Sequence, residues 1–257
     1  MKKGLKKLGL IALALVCTLG FFGKAQAQEA PKDGSTTEQA GGKKPSKLSF
    51  GLQSGLNLSE YFIAGSEGRT DRAAGVQAGA FFTIQATNWV GISLELAYAQ
   101  NGAKNLVGLD NPAARFSFVG HNFQTNLLTY FKLPILSVYE PKLILGPSLN
   151  YMVQQDFMSE TISGTSGVKN WRKYTGFQNM DIGMIVGLGL DFDLKWATLL
   201  VDARYRQGFS DINSKGKAID GTTLNTSYND NTPASTLGNN SISNSTFSFN
   251  VGLGFKL

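Results

Sequence analysis

The chain has 257 residues, with 24 Lys and Arg against 18 Asp and Glu, and its formal net charge is +6. Five of the cations lie in residues 1–27, which contain no acid, so residues 28–257 carry 19 cations and 18 anions. This near-neutral remainder argues against a nucleic-acid-binding surface. The 42% hydrophobic content excludes a disordered chain, and the single Cys excludes a disulfide framework and a Cys-based zinc site. Thirty glycines exceed the usual fraction of about 7% and require an explanation in the fold.

Residues 1–27 have the organisation of a secretory signal peptide. A basic segment, residues 1–7, precedes an apolar stretch at 8–22, and residues 25–27 read Ala-Gln-Ala, which is a small-x-small cleavage signal. We predict that this peptide is cleaved. Residues 28–47 are polar and have no apolar period, which predicts a flexible periplasmic tether.

The remaining chain alternates between apolar and polar side chains. In the first segment Leu48, Phe50 and Leu52 alternate with Ser49 and Gly51. A period of two residues is the pattern of a β-strand whose two faces meet different surroundings. Eight predicted strands follow from it, at residues 48–58, 74–87, 89–100, 119–138, 142–153, 180–193, 197–209 and 246–257.

The segments between these strands alternate strictly in length. Three are tight turns, at residues 87–88, 139–141 and 194–196. Four are long polar loops, at residues 59–73, 101–118, 154–179 and 210–245. Short periplasmic turns and long extracellular loops are typical of outer-membrane barrels. The sequence therefore predicts an all-β fold over residues 48–257, an eight-stranded antiparallel up-and-down transmembrane β-barrel of the outer-membrane type.

Glycine and aromatic positions agree with this barrel. The strand glycines fall on the polar parity, and the interior of an eight-stranded barrel is only wide enough for side chains to fill. Small residues are therefore needed beside long inward side chains. Trp89, Tyr139 and Trp196 accompany the three short turns, and we predict that they form an interfacial aromatic girdle.

Charged side chains also fall on the polar, inward parity. They are Glu95, Lys132, Asp181, Asp191, Asp202, Arg204, Arg206 and Lys256. Isolated charges in a narrow interior are costly, so we expect a network in which Glu95 and Asp202 pair with Arg204 and Arg206. Such a network is either an ion path or a structural plug, and the narrow interior favours the plug.

The sequence offers little for catalysis or metal binding. His121 is the only imidazole, no Ser or acid lies within three residues of it, and Ser117 and Ser148 are the remaining candidate partners. One stretch resembles the start of a calcium loop, but Lys215 occupies a ligand position and Thr222 stands where the closing Glu belongs. We predict no catalytic residue, no metal site and no cofactor.

Five segments resemble the PorT-like outer-membrane β-barrel family of Bacteroidota. They are residues 50–59, 127–136, 141–148, 185–190 and 203–208, and they keep the order of the strands. The resemblance implies an eight-stranded outer-membrane barrel. The founding member of that family serves a gliding-associated secretion system, but the resemblance supplies no catalytic residues.

These observations predict a non-enzymatic integral outer-membrane protein with a closed or plugged lumen, which acts as an anchor, scaffold or accessory subunit of an envelope assembly. A narrow porin-like channel is the second hypothesis, and an outer-membrane lipid-modifying enzyme is the third. The expected partners are outer-membrane lipids, lipopolysaccharide and envelope proteins, and no nucleic acid is expected.

Overall fold

The computed structural model describes most of the chain after residue 47. The described residues are 48–64, 70–107, 114–133, 139–161, 170–173, 177–194, 196–213 and 240–257. The predicted signal peptide and tether, and most of the predicted loop 210–245, lie outside the described residues.

Nine β-strands make up the described fold. They are β1 (Leu48–Ile63), β2 (Asp71–Gln85), β3 (Val90–Val107), β4 (Ala114–Lys132), β5 (Tyr139–Thr161), β6 (Asn170–Lys173), β7 (Met180–Asp193), β8 (Ala197–Gly208) and β9 (Ile242–Lys256). Within the described ranges no helix has the length and apolar character needed to cross a membrane.

Eight of the strands close into a barrel. Each strand pairs antiparallel with its neighbour in the order β1–β2–β3–β4–β5–β7–β8–β9. The barrel closes where β9 pairs with β1, in a continuous register from Ser49 opposite Lys256 to Ile63 opposite Ile242. The eight-stranded closed barrel predicted from the alternation is confirmed. Strand β6 is not part of the ring, because it pairs only with the outer end of β5 among the described strands.

The alternation of the sequence places apolar side chains on the outside of the barrel. Leu56, Leu96, Phe123 and Leu188 are each more than half exposed. Their inward neighbours are polar or small, and many of these are fully buried. The fold therefore exposes a broad apolar band, which is the arrangement that a lipid environment stabilises.

Several glycines leave room for a neighbouring inward side chain. The ring of Phe81 lies inside the barrel, and a Cβ atom at Gly254 would lie 3.3 Å from its Cζ atom. A Cβ atom at Gly51 would overlap both the same ring and the backbone carbonyl of Leu253. The excess of glycine thus has a steric cause, since the interior is already filled.

The strands extend further than the sequence pattern indicates. A tilted strand spans a membrane with about 9–11 residues, whereas β4 has 19 residues and β5 has 23. All four predicted loops, at 59–73, 101–118, 154–179 and 210–245, begin or end within a strand. Those loop limits, and the limits predicted for the strands beside them, were therefore wrong.

The outer ends of β1, β3, β4, β5 and β9, which we call the extension, enclose an apolar core of their own. This core explains why the sequence pattern gave the wrong strand limits. Outside the apolar band the polarity of the two faces inverts, so that Tyr61, Phe118 and Phe157 point inward while Glu60 and Asp156 lie on the outward parity. The buried cluster consists of Tyr61, Ile63, Ala103, Phe118, Phe157, Phe177, Ile212 and Ile242. The alternation of apolar and polar residues therefore continues beyond the band, but there the apolar residues of this cluster point inward.

The short connection after β4 also differs from the prediction. Residues 139–141 were expected to form a turn, but they begin β5 and pair with β7, with Tyr139 opposite Phe192. Strand β4 ends at Lys132 instead of residue 138. The reason is that Glu140 and Lys142 continue the inward parity of β5, so polar residues at this end belong to the interior.

A substitution at Gly254 tests the filled interior near Phe81. We expect Gly254→Leu to lower the free energy of unfolding by about 1–3 kcal/mol, because an overfilled site forces its neighbours to move. Urea unfolding in lipid vesicles measures this change. We expect Phe81→Ala in the same chain to recover part of the loss.

Gly91→Leu is the matched control for that substitution. The nearest neighbour of a Cβ atom added at Gly91 is the flexible side-chain oxygen of Gln85, at 3.2 Å. A loss of unfolding free energy in Gly91→Leu as large as that in Gly254→Leu would contradict the steric account. Failure of Phe81→Ala to restore stability to Gly254→Leu would contradict it as well.

Candidate functional site in the barrel interior

A buried ion cluster lies across the middle of the interior, between β3 and β8. Arg204 donates to both oxygens of Glu95, with Nη1 at 2.6 Å from Oε2 and Nη2 at 3.1 Å from Oε1. It also donates to both oxygens of Asp202, at 2.7 and 2.8 Å. One guanidinium therefore holds two carboxylates in paired geometry, which is the strong form of this interaction.

Neutral donors satisfy the second negative charge of this cluster. The hydroxyl of Tyr130 donates to Glu95 Oε1 at 2.6 Å, and Gln53 and Asn126 donate to Oε2 at 3.1 and 3.3 Å. Asn250 donates to Asp202 Oδ1 at 2.7 Å. The cluster thus contains two carboxylates and one guanidinium, and amide and phenol groups stabilise its net negative charge.

A second pair is formed by Arg206 and Asp181. Nη1 of Arg206 lies 2.8 Å from Asp181 Oδ2, Nη2 donates to the Asp181 backbone carbonyl at 3.1 Å, and Nε donates to the hydroxyl of Ser148 at 3.0 Å. The sequence grouped Arg206 with Glu95 and Asp202. The structure separates them, because Asp181 is on the β7 strand next to β8 and reaches Arg206 directly.

A third cluster contains two lysines around Asp191. Nζ of Lys142 lies 2.6 Å from Asp191 Oδ1, and Nζ of Lys132 lies 2.8 Å from Oδ2 and 3.1 Å from Glu140. Lys142 also lies over the ring of Tyr130, at 4.8 Å from its centroid. Sequence reasoning missed Lys142, although its even number places it on the inward parity of β5.

Lys256 behaves differently from the other charges predicted to face inward. It pairs with Asp193 at 2.6 Å, and both side chains are more than one third exposed. This ion pair therefore lies at the rim of the barrel, in contact with solvent.

The described interior has little free volume between these clusters. Leu128, Tyr130, Ile144 and Ile185 form a buried apolar layer. The cavity beside Arg204 and Arg206 has a volume of about 10 Å³, which is room for about one water molecule. Within the part of the chain that the structure describes, the barrel is packed with side chains.

The three aromatic residues at the turn end are exposed on the outside. Trp89 and Trp196 are more than half exposed, and Trp196 lies beside Phe255 at a centroid distance of 6.1 Å. Tyr139 lies beside Phe192 at 6.4 Å. Their location at an interface of the membrane stays a prediction.

His121 faces outward, away from Ser148 in the interior. The Tyr98 hydroxyl hydrogen-bonds to His121 Nδ1, and Asp156 Oδ2 lies 3.8 Å from Nε2. Sequence spacing missed Asp156 because that residue is on a different strand. The described residues contain no group of three or more His, Cys, Asp or Glu that could hold a metal ion.

An apolar outer band, a polar interior filled by paired charges and a closed antiparallel ring define an outer-membrane β-barrel. The chain matches the family described as "Outer membrane protein beta-barrel domain" over residues 26–214, and it belongs to that family. Its location is the bacterial outer membrane. No curated protein matches its sequence.

Solved outer-membrane proteins are similar to the chain. The attachment invasion locus protein Ail of Yersinia pestis has 12% identity and a TM-score of 0.40, covering 81% of this chain and 99% of that one. OprG of Pseudomonas aeruginosa has 17% identity and a TM-score of 0.38, covering 83% and 97%. The outer-membrane protease OmpT of Escherichia coli has 11% identity and a TM-score of 0.27, covering 86% and 100%.

Removal of the central guanidinium tests the ion cluster. We expect Arg204→Met to destabilise the barrel by about 3–5 kcal/mol, because it leaves two buried carboxylates without their cation. Lys256→Met removes a cation from an exposed pair, and we expect a loss below about 1 kcal/mol. Urea unfolding of the two variants in lipid vesicles compares these losses, and equal losses would contradict the central role of Arg204.

Proposed function

We propose that the protein is a non-enzymatic outer-membrane barrel with a closed lumen, which serves as an anchor, scaffold or accessory subunit of an envelope assembly. The observation that carries the proposal is the filled interior, where Arg204 holds Glu95 and Asp202 and the adjacent cavity measures about 10 Å³. A barrel that is closed by its own side chains has its outside surface and its ends available for function.

The outer extension supports a role in protein contacts. Strands β4 and β5 pair from Ala114 opposite Thr161 inward, and β6 adds a further strand at residues 170–173. The aromatic core around Phe118 and Phe177 holds this region, with ring centroids at 5.5 Å. Long connections lie on the extracellular side of outer-membrane barrels, so the extension presents a rigid surface outside the bilayer.

The proposal includes the features predicted from the sequence. A cleaved signal peptide directs export, and the resemblance to the PorT-like family supports an assembly related to secretion. Outer-membrane lipids and lipopolysaccharide surround the apolar band, and envelope proteins contact the extension.

A narrow cation channel is the second candidate. The observation that favours it is the net negative charge of the Glu95, Asp202 and Arg204 cluster, which would attract cations to an open path. Conduction would require Arg204 to leave both carboxylates, since it now occupies the space between β3 and β8.

Photo-cross-linking tests the proposed contact surface. A photoreactive amino acid at position 62 would report on the outward face of the extension, where Phe62 is about half exposed. A second at Leu96, in the apolar band, is the matched control. In intact cells we expect protein adducts from position 62 and lipid adducts from position 96.

The two positions separate the alternatives by the type of adduct. Lipid adducts alone from position 62, with the same pattern as position 96, would contradict a protein-contact role for this face. Mass spectrometry of the cross-linked bands identifies the adducts.

A further inference from the structure

A chain of polar side chains crosses three strands on the outside of the barrel. We call it the outer polar patch, and it consists of Tyr98, Gln100, His121, Gln154 and Asp156. All five are partly or fully exposed, and none of them takes part in the interior clusters. Neither the closed barrel nor the ion clusters require them, so the patch calls for a separate explanation.

The patch is ordered by its own contacts. Gln100 donates to the Tyr98 hydroxyl at 3.4 Å, and that hydroxyl bonds to His121, whose ring stacks on Tyr98 at 6.0 Å. Gln154 donates to both oxygens of Asp156, at 3.1 and 2.8 Å. The side chains are thus held in place before any ligand arrives, which lowers the entropic cost of binding.

A β-bulge gives the patch its acid and amide. His121 pairs with Gln154 and Asn122 pairs with Met152, so Val153 has no partner on β4. The extra residue reverses the parity of β5, and Val153 and Gln154 are both exposed while Gln155 is buried. Without the bulge Asp156 would point inward. Bulges that re-aim a side chain are over-represented at functional sites.

The patch lies immediately beside the apolar band. Tyr98 contacts Phe123 edge-on at a centroid distance of 6.4 Å, and Phe123 and Tyr151 are exposed two or three residues from the patch on β4 and β5. A molecule that reaches the patch with a polar group therefore has apolar protein surface next to it. This is the geometry of an amphiphile that stands in the outer leaflet, with its chains along the band and its head group at the patch.

The chemistry of the patch fits a sugar. Asp156 is the only acid among the five, and a carboxylate accepts hydrogen bonds from hydroxyls and repels a phosphate. The two amides offer both donors and acceptors, as vicinal hydroxyls require. The ring of Tyr98 provides an apolar face for the C–H groups of a sugar ring.

We propose that the outer polar patch binds the sugar head group of an outer-leaflet glycolipid. The proposal deepens the lipid contact included in the proposed function, but it requires only the membrane location of the barrel. It is independent of whether the lumen is closed and of whether a protein partner exists.

His121 provides a direct reporter because it is the only histidine in the chain. The full barrel, with isotope-labelled histidine, is placed in phosphatidylcholine nanodiscs and titrated with glucosyl diacylglycerol or with phosphatidylglycerol of the same acyl chains. We expect the imidazole NMR signals of His121 to shift saturably with the glucosyl lipid and to change little with phosphatidylglycerol.

Two variants connect the shift to the patch. We expect Asp156→Ala to weaken the apparent affinity for glucosyl diacylglycerol by about tenfold, since a hydrogen bond to a charged group is about twice as strong as a neutral one. Gln207→Ala is the matched control, because Gln207 accepts from the Tyr205 hydroxyl at 2.6 Å in a similar outward pair on β8. We expect this control to bind as the parent does.

The remaining outcomes overturn the proposal. No saturable shift with the glucosyl lipid excludes a sugar site at the patch. Equal shifts with both lipids indicate general lipid contact, and a larger shift with phosphatidylglycerol indicates a phosphate site. Intact heat-modifiable gel migration of each variant confirms that its barrel is folded.

Discussion

The narrow interior of an eight-stranded barrel constrains every other feature of this structure. Side chains that point inward must fill the space and pair their charges. Arg204 meets these demands at the centre by holding Glu95 and Asp202 together. Glycines in the barrel wall satisfy the same requirement, because the ring of Phe81 occupies the space that a side chain at Gly254 would need. The interior is therefore a core built largely of polar groups.

The environment outside the barrel changes along its axis, and the strands change with it. In the apolar band the outward side chains are hydrophobic, and the inward ones are mostly polar or small apart from the layer of Leu128, Tyr130, Ile144 and Ile185. Beyond the band the phase inverts, and Tyr61, Phe118 and Phe177 form an apolar core inside the extension. The band suits a lipid environment, whereas the outward face of the extension combines polar residues such as Asp156 with the exposed ring of Phe62. The outer polar patch lies at the boundary between the apolar band and the extension, which is the position that the proposed lipid head group requires.

The sequence predicted the closed ring, its strand order and the parity of the charged residues that it assigned to the interior, because a period of two assigns faces directly. It could not predict partners across the interior, since strand stagger decides that Arg206 meets Asp181 and not Glu95. Parity alone would have found Lys142. The outward position of Asp156 could not be predicted, because the bulge at Val153 reverses the face on which Asp156 lies and no residue type marks that bulge. The strand ends were missed because the polarity inverts there without a turn signal.

The central claim is that the side chains of the barrel close its own lumen. Planar-bilayer recording of the purified full barrel tests it most directly. Heat-modifiable gel migration of the protein reconstituted in the same lipid confirms that the barrel is folded and present. The account predicts no steady conductance from the parent protein under the same conditions. Stable channels of reproducible unit conductance from the parent would contradict it.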